Sequence, residues 1–138
     1  MGGADRRRAA AMVAVSTLLA ACAGARYEPC PLQLGTPLPD DAFVRCRDEL
    51  ARRYGGLAIA DRAAFLLQTD WVPVADPIGE RRASVFRSDV VQDLAVVVEF
   101  RSLSTPWFGV PQWTEPRGDA PAERDLAAAL RAALTAAH

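Results

Sequence analysis

The chain has 138 residues, a formal net charge of −1 and 51% hydrophobic residues, enough for one small domain with a single core. This charge balance lacks the basic signature of nucleic-acid-binding proteins, so no nucleic-acid partner is predicted. There is no lysine, and the only histidine is the last residue, His138. Ser-His-Asp, Cys-His and Ser-Lys catalytic groups therefore cannot be assembled.

The N-terminal segment has the layout of a secretory signal, with three arginines at positions 6–8 before an uncharged run over 9–21. That run is about 13 residues long, short of the ~20 needed to span a bilayer, which argues against a transmembrane helix. It closes with Leu19-Ala20-Ala21-Cys22, a motif that resembles the lipobox of bacterial lipoproteins. The alternative is an ordinary signal peptide cut at another position, with Cys22 incidental.

The lipobox resemblance implies that residues 1–21 are a signal peptide that is removed, and that Cys22 is acylated and becomes the N-terminus. One acyl chain holds a protein to a membrane only marginally, whereas the two or three chains of a bacterial lipoprotein anchor it stably. Ala23 stands where an aspartate would resemble an inner-membrane retention signal. In a Gram-negative envelope the resemblance therefore implies lipid anchoring at the periplasmic face of the outer membrane.

Residues 22–39 are predicted to form a lipidated, proline-rich tether, because proline fixes φ and removes backbone donors. With Cys22 carrying lipid, Cys30 and Cys46 remain as a pair in an oxidising compartment, which favours a disulfide between them. Two free or metal-binding thiols are the alternative. Two cysteines lack the further ligands of a zinc site, so no metal and no other cofactor is predicted.

The globular domain is predicted over residues 40–138, with a helix at each end. Asp40 or Asp41 is placed to cap a first helix that runs to Tyr54 and stops at Gly55-Gly56. Its buried stripe follows helical spacing: Phe43, Cys46, Leu50 and Tyr54. Pro121 is placed to open the last helix. The apolar face of that helix consists of Leu126, Ala129, Leu130, Ala133 and Leu134.

Alternating apolar residues between these helices predict strands over 64–71, 82–88 and 94–101, the last two forming an antiparallel hairpin. Residues 72–81 contain Pro73, Asp76-Pro77 and Gly79 and are predicted to form a loop. Trp71, at the end of the first strand, is expected in the core. The fold class is therefore α+β: a small antiparallel sheet of three to four strands, flanked by an N-terminal and a C-terminal helix on one face.

Residues 103–118 are predicted to form a long, irregular loop that is rich in apolar side chains. Trp107, Phe108, Val110 and Trp113 are the candidate interface residues, because aromatic side chains dominate interface hot spots. The alternative is that these side chains close one end of the core, as a small domain needs large side chains there.

The remaining chemistry lies in carboxylates, of which two in one cleft would suffice for glycoside hydrolysis. Glu99 is more readily explained by an ion pair with Arg62 or Arg82, and Asp61 by a turn hydrogen bond. No catalytic residues are therefore predicted.

The overall plan resembles small envelope-assembly lipoproteins, such as the C component of the β-barrel assembly complex. That resemblance rests on architecture alone, namely a lipobox, a proline-rich strap and a domain built as helix, antiparallel sheet and helix. It implies a non-enzymatic scaffold or accessory subunit with a protein partner in the envelope. A binding module for an apolar or lipidic ligand, held between sheet and helices, is the alternative.

Overall fold

The computed structural model describes residues 28–89 and 92–136 of the chain, so the lipobox and Cys22 lie outside the described residues. Two helices and nine strands follow one another in this part. The helices are α1 (Ala42–Tyr54) and α2 (Ala120–Thr135). The strands are β1 (Cys30–Pro31), β2 (Leu57–Asp61), β3 (Leu66–Thr69), β4 (Val72–Ala75), β5 (Ile78–Ser88), β6 (Asp93–Arg101), β7 (Leu103–Ser104), β8 (Gln112–Trp113) and β9 (Arg117–Gly118).

The predicted α+β class is confirmed, but the main sheet has seven strands, more than the predicted three to four. Its order is β1-β6-β5-β3-β2, with β4 paired to β5 and β9 paired to β6, and each of these pairings is antiparallel. The additional strands are two to five residues long and contain proline or glycine at several positions. Such segments lack the periodicity from which strands are recognised.

Both helices pack on one face of the sheet, and the hydrophobic core lies between that face and the helices. The predicted apolar stripe of α1 faces the core. Cys46 and Leu50 are fully buried, and Phe43 and Tyr54 are half-buried at the edge of the core. Asp41 precedes α1 but forms no side-chain cap; its carboxylate instead pairs with Arg45 one turn later, at 2.8 Å. Within residues 28–89 and 92–136 neither helix lies on the opposite face of the sheet, and we call that face the open face.

The predicted loop over 72–81 is wrong, because a second hairpin, formed by β4 and β5, occupies it. Val74 pairs with Gly79 and Ala75 with Ile78 around the turn at Asp76-Pro77. Gly79 is required here, since a Cβ at this position would lie 2.3 Å from the carbonyl oxygen of Arg101. The first residues of β5, which follow this turn, lie at the end of the sheet where β6 ends, because Glu80 pairs with Arg101.

Part of the segment predicted as a tether belongs to the globular domain. β1 pairs with β6, with Cys30 opposite Val96 and Pro31 opposite Ala95. Leu32 follows with no exposed surface and belongs to the core. Cys30, Pro31 and Leu32 therefore belong to the sheet and core, ahead of the predicted start of the globular domain at residue 40.

The outer edge of β6 is closed by three different groups. β1 pairs with its first half and β9 with its last residues. Between them the backbone N–H of Val98 donates to the carboxylate of Glu123 at 3.1 Å, and the Val98 carbonyl accepts from the N–H of Asp119 at 2.8 Å. Burial raises the pKa of Glu123, an effect that exceeds the lowering by the Val98 hydrogen bond. A side chain thus completes the sheet where no strand does.

Candidate functional site

The predicted aromatic loop is a β-hairpin that extends from the end of the sheet. β7 pairs with β8, with Leu103 opposite Trp113. The N–H of Thr114 donates to the carbonyl of Ser102 at 2.8 Å, so the ladder continues directly from β6. Residues 105–111 form the tip. Trp107 is 97% exposed and Phe108 93% exposed, and Val110 is also largely exposed.

The four candidate interface residues are therefore all accessible, and the alternative that they close the core is wrong for this hairpin. The structure divides them into two groups. Trp107, Phe108 and Val110 lie at the tip, whereas Trp113 lies at the base of the hairpin, beside the open face, and is 44% exposed. The ladder between β7 and β8, which continues from β6, holds this hairpin outside the core.

Trp113 belongs to a stacked cluster on the open face that the sequence did not reveal. The guanidinium of Arg101 lies 4.1 Å from the ring centre of Trp71 and 4.4 Å from that of Trp113. Arg82 contacts the Trp71 ring as well, at 4.6 Å. We call these four residues the Trp–Arg stack. Guanidinium groups over indole faces are held by cation–π attraction and by the large flat contact area.

Two cross-strand ion pairs fix the arginines of the Trp–Arg stack. Arg82 donates to Glu99 at 2.6 Å, and Arg101 donates to Glu80 at 2.7 Å. Each pair joins directly opposed residues of β5 and β6. The prediction that Glu99 pairs with a cross-strand arginine is confirmed, with Arg82 as the partner. The ion pairs therefore hold both guanidinium groups beside the indole rings, and the two rings remain partly exposed.

The expectation that Trp71 lies in the core is wrong. The alternation of the first strand holds for Phe65, Leu67 and Thr69, which are buried. It ends there, because β3 stops at Thr69 and β4 starts at Val72. At this break the Thr69 hydroxyl accepts from the N–H of Ala83, at 3.0 Å. Trp71 therefore lies outside the core, against Arg82 and Arg101, and a break in strand register is not visible in the periodicity of a single segment.

Cys30 and Cys46, which the sequence predicts to form a disulfide, are free thiols in the structure. Cys46 is fully buried in α1, and Cys30 lies half-buried on β1 with its sulfur 3.9 Å from the carbonyl oxygen of Pro31. Burial raises the pKa of Cys46 to about 12. Both side chains border the same core, and the disulfide stays a prediction.

Two of the carboxylates considered from the sequence have structural partners. Glu99 is ion-paired, and Asp61 accepts from the N–H of Ala64 in a turn, at 3.0 Å. No group of three or more histidine, cysteine or acidic residues that could hold a metal is found in the part of the chain described here. Between helices and sheet, where the alternative function places an apolar or lipidic ligand, six leucines and three valines are fully buried: Leu32, Leu50, Leu67, Leu94, Leu126, Leu130, Val85, Val96 and Val98.

The fold and its exposed features define an α+β domain with a seven-stranded antiparallel sheet, an uncovered Trp–Arg stack and a protruding aromatic hairpin. Comparison with protein-family models, curated proteins and solved structures found no match to this chain. Neither helix within residues 28–89 and 92–136 is long and apolar enough to cross a bilayer.

Proposed function

We propose that the protein is a lipid-anchored component of the bacterial cell envelope that acts as a non-enzymatic scaffold or accessory subunit by contact with a protein partner. The lipobox Leu19-Ala20-Ala21-Cys22 supports the anchor. The observation that carries the contact function is the Trp–Arg stack, because tryptophan and arginine are the residues most enriched at interface hot spots.

The chemistry of the stack suits protein recognition. Its two arginines are already neutralised by Glu80 and Glu99, so binding does not require a strongly charged partner. The rings of Trp71 and Trp113 offer flat apolar area held in one orientation, which lowers the conformational entropy lost on binding. Engagement of Glu99 and Asp61 in structural contacts favours the non-enzymatic proposal over carboxylate hydrolysis.

The anchor is tested by fractionating cells that express the full chain or its Cys22→Ser variant. We expect radiolabelled palmitate in the wild-type protein and its presence in the membrane fraction. The variant should carry no label and should leave the membrane fraction. An unlabelled wild-type protein, or a variant that stays with the membranes at full yield, would contradict the anchor.

The contact surface is tested with a photo-crosslinking amino acid placed at Leu103, which is exposed and lies opposite Trp113. We expect a discrete protein adduct in intact cells, and we expect Trp113→Ala to abolish it without a large change in thermal midpoint. The matched control is the same probe at Ala58, an exposed position on the far edge strand β2. Equal adducts from both positions, or none from Leu103, would argue against this surface.

A further inference from the structure

The described chain enters β1 from the end of the sheet at which the hairpin extends. β1 runs antiparallel to β6, so the chain before Cys30 is directed toward the end of β6 at Arg101. The hairpin continues from that end. Residues 28 and 29 therefore lead into β1 from the side of the domain that carries the aromatic tip.

The reach of the chain from Cys30 to Cys22 matches the distance along the sheet from the level of Cys30 to the start of the hairpin tip. From Val96, the partner of Cys30, to Ser104, the last paired residue of β7, the ladder rises ~27 Å at about 3.4 Å per residue. The eight residue-to-residue steps from Cys22 to Cys30 span at most ~26–29 Å when fully extended. A lipid on Cys22 can reach the level at which the tip begins, but it cannot lie far beyond it.

The chemistry of this end of the domain suits a lipid surface. No residue from Ser102 to Thr114 is charged, and Trp107 and Phe108 are almost fully exposed at the tip. The adjacent β4–β5 turn, which the pairing of Glu80 with Arg101 places at the same end, presents Ile78 at 83% exposure. Tryptophan and phenylalanine are typical of segments that insert at the boundary between headgroups and acyl chains.

We infer that residues 105–111 insert into the surface of the bilayer that holds the Cys22 lipid, so that the protein contacts its membrane at two points. This inference rests on the anchor proposed above. Because the tether confines the tip close to the bilayer, its effective concentration there is high and weak partitioning is sufficient. The strands then stand away from the membrane, and the Trp–Arg stack faces sideways toward a partner in the envelope.

The test uses the full-length lipidated protein in vesicles of phosphatidylethanolamine and phosphatidylglycerol, with and without brominated acyl chains that quench tryptophan fluorescence. We expect the brominated vesicles to reduce the emission of the wild-type protein. Trp107→Phe should abolish this quenching and leave the thermal midpoint unchanged, since the position is exposed. Trp113→Phe is the matched control and should retain the quenching, because Trp113 lies at the base of the hairpin.

A second measurement separates lipid from protein as the occupant of the tip. A photo-crosslinking amino acid at Phe108 should yield lipid adducts in native membranes; adducts to protein alone would overturn the inference. Equal emission in both kinds of vesicle would overturn it as well, while leaving the anchor and the Trp–Arg surface in place. A chain that does not float with vesicles at all would overturn both the anchor and this inference.

Discussion

Glu123 shows how a single side chain can make a sheet edge depend on pH. Its carboxylate accepts the Val98 N–H, and burial raises its pKa above the ordinary 4.5. The native state therefore binds this proton more tightly than the unfolded chain. Ionising Glu123 costs stability: the cost is absent below the unfolded pKa and is fully present once pH exceeds the raised native pKa.

We expect Glu123→Gln to remove this dependence, because the amide oxygen can still accept from Val98 but carries no charge. Urea unfolding of both proteins between about pH 4 and pH 8 measures the effect. Relative to the variant, the wild-type free energy of unfolding should fall as pH rises through the window just above 4.5. The control variant is Glu115→Gln, which removes one carboxylate at an exposed loop position. A pH-independent difference between Glu123→Gln and wild type would refute the argument.

Cys46 provides a residue-level test of the compartment. Its pKa of about 12 leaves almost no thiolate at neutral pH, so the reduced native protein should react with a thiol reagent at Cys30 well before Cys46. In protein isolated from an oxidising compartment, we expect no reactive thiol even after unfolding, until a reductant releases two. Two reactive thiols in the unfolded, unreduced protein would exclude the disulfide. Cys46→Ala serves as the reference for the reactivity of Cys30 alone.

At the scale of elements, the sequence was sufficient for long segments with sustained periodicity. The helix α1, the strands β5 and β6 and the helix α2 were all recognisable, because each pattern repeats over several turns or pleats. The strands β1, β4 and β9 were missed. Each spans two to four residues, and each exists because a longer strand, β5 or β6, supplies its hydrogen bonds from elsewhere in the chain. The residues of such a short strand do not indicate that it pairs with a distant part of the chain.

The same distinction explains what could be predicted of the candidate site. The aromatic loop was identifiable from composition, but its exposure depends on whether the chain folds back onto the core or extends as a ladder. Ser102 and Thr114, which continue the pairing of β6 into the hairpin, decide this. The Trp–Arg stack required the register between β5 and β6, together with the break before Trp71, and neither is a property of one segment.

At the scale of the whole molecule, both ends of the described chain are joined to one core. Arg131 of α2 donates to the carbonyl of Leu32 at 3.2 Å, which links the last helix to the first strand segment. Arg45 of α1 donates to the carbonyl of Ala133 at 3.1 Å, which links the two helices. These contacts hold Leu32, and with it β1, against the two helices. The chain toward Cys22 therefore continues from a segment that is packed onto the domain.

Leu32→Ala tests this arrangement, because Leu32 is fully buried although it lies in the proline-rich segment. Emptying such a site costs about 2–5 kcal/mol, out of a total of about 5–15 kcal/mol for a typical domain. We expect a large drop in thermal and urea midpoints with a single transition retained, since the core is continuous from the strap to α2. Leu103→Ala makes the same truncation at an exposed position and should change stability by no more than about 0.5 kcal/mol. If both substitutions lowered stability equally little, residues 30–32 would not pack against the core in solution. The tether would then start near residue 39. Its reach would no longer match the distance from the level of Cys30 to the start of the hairpin tip.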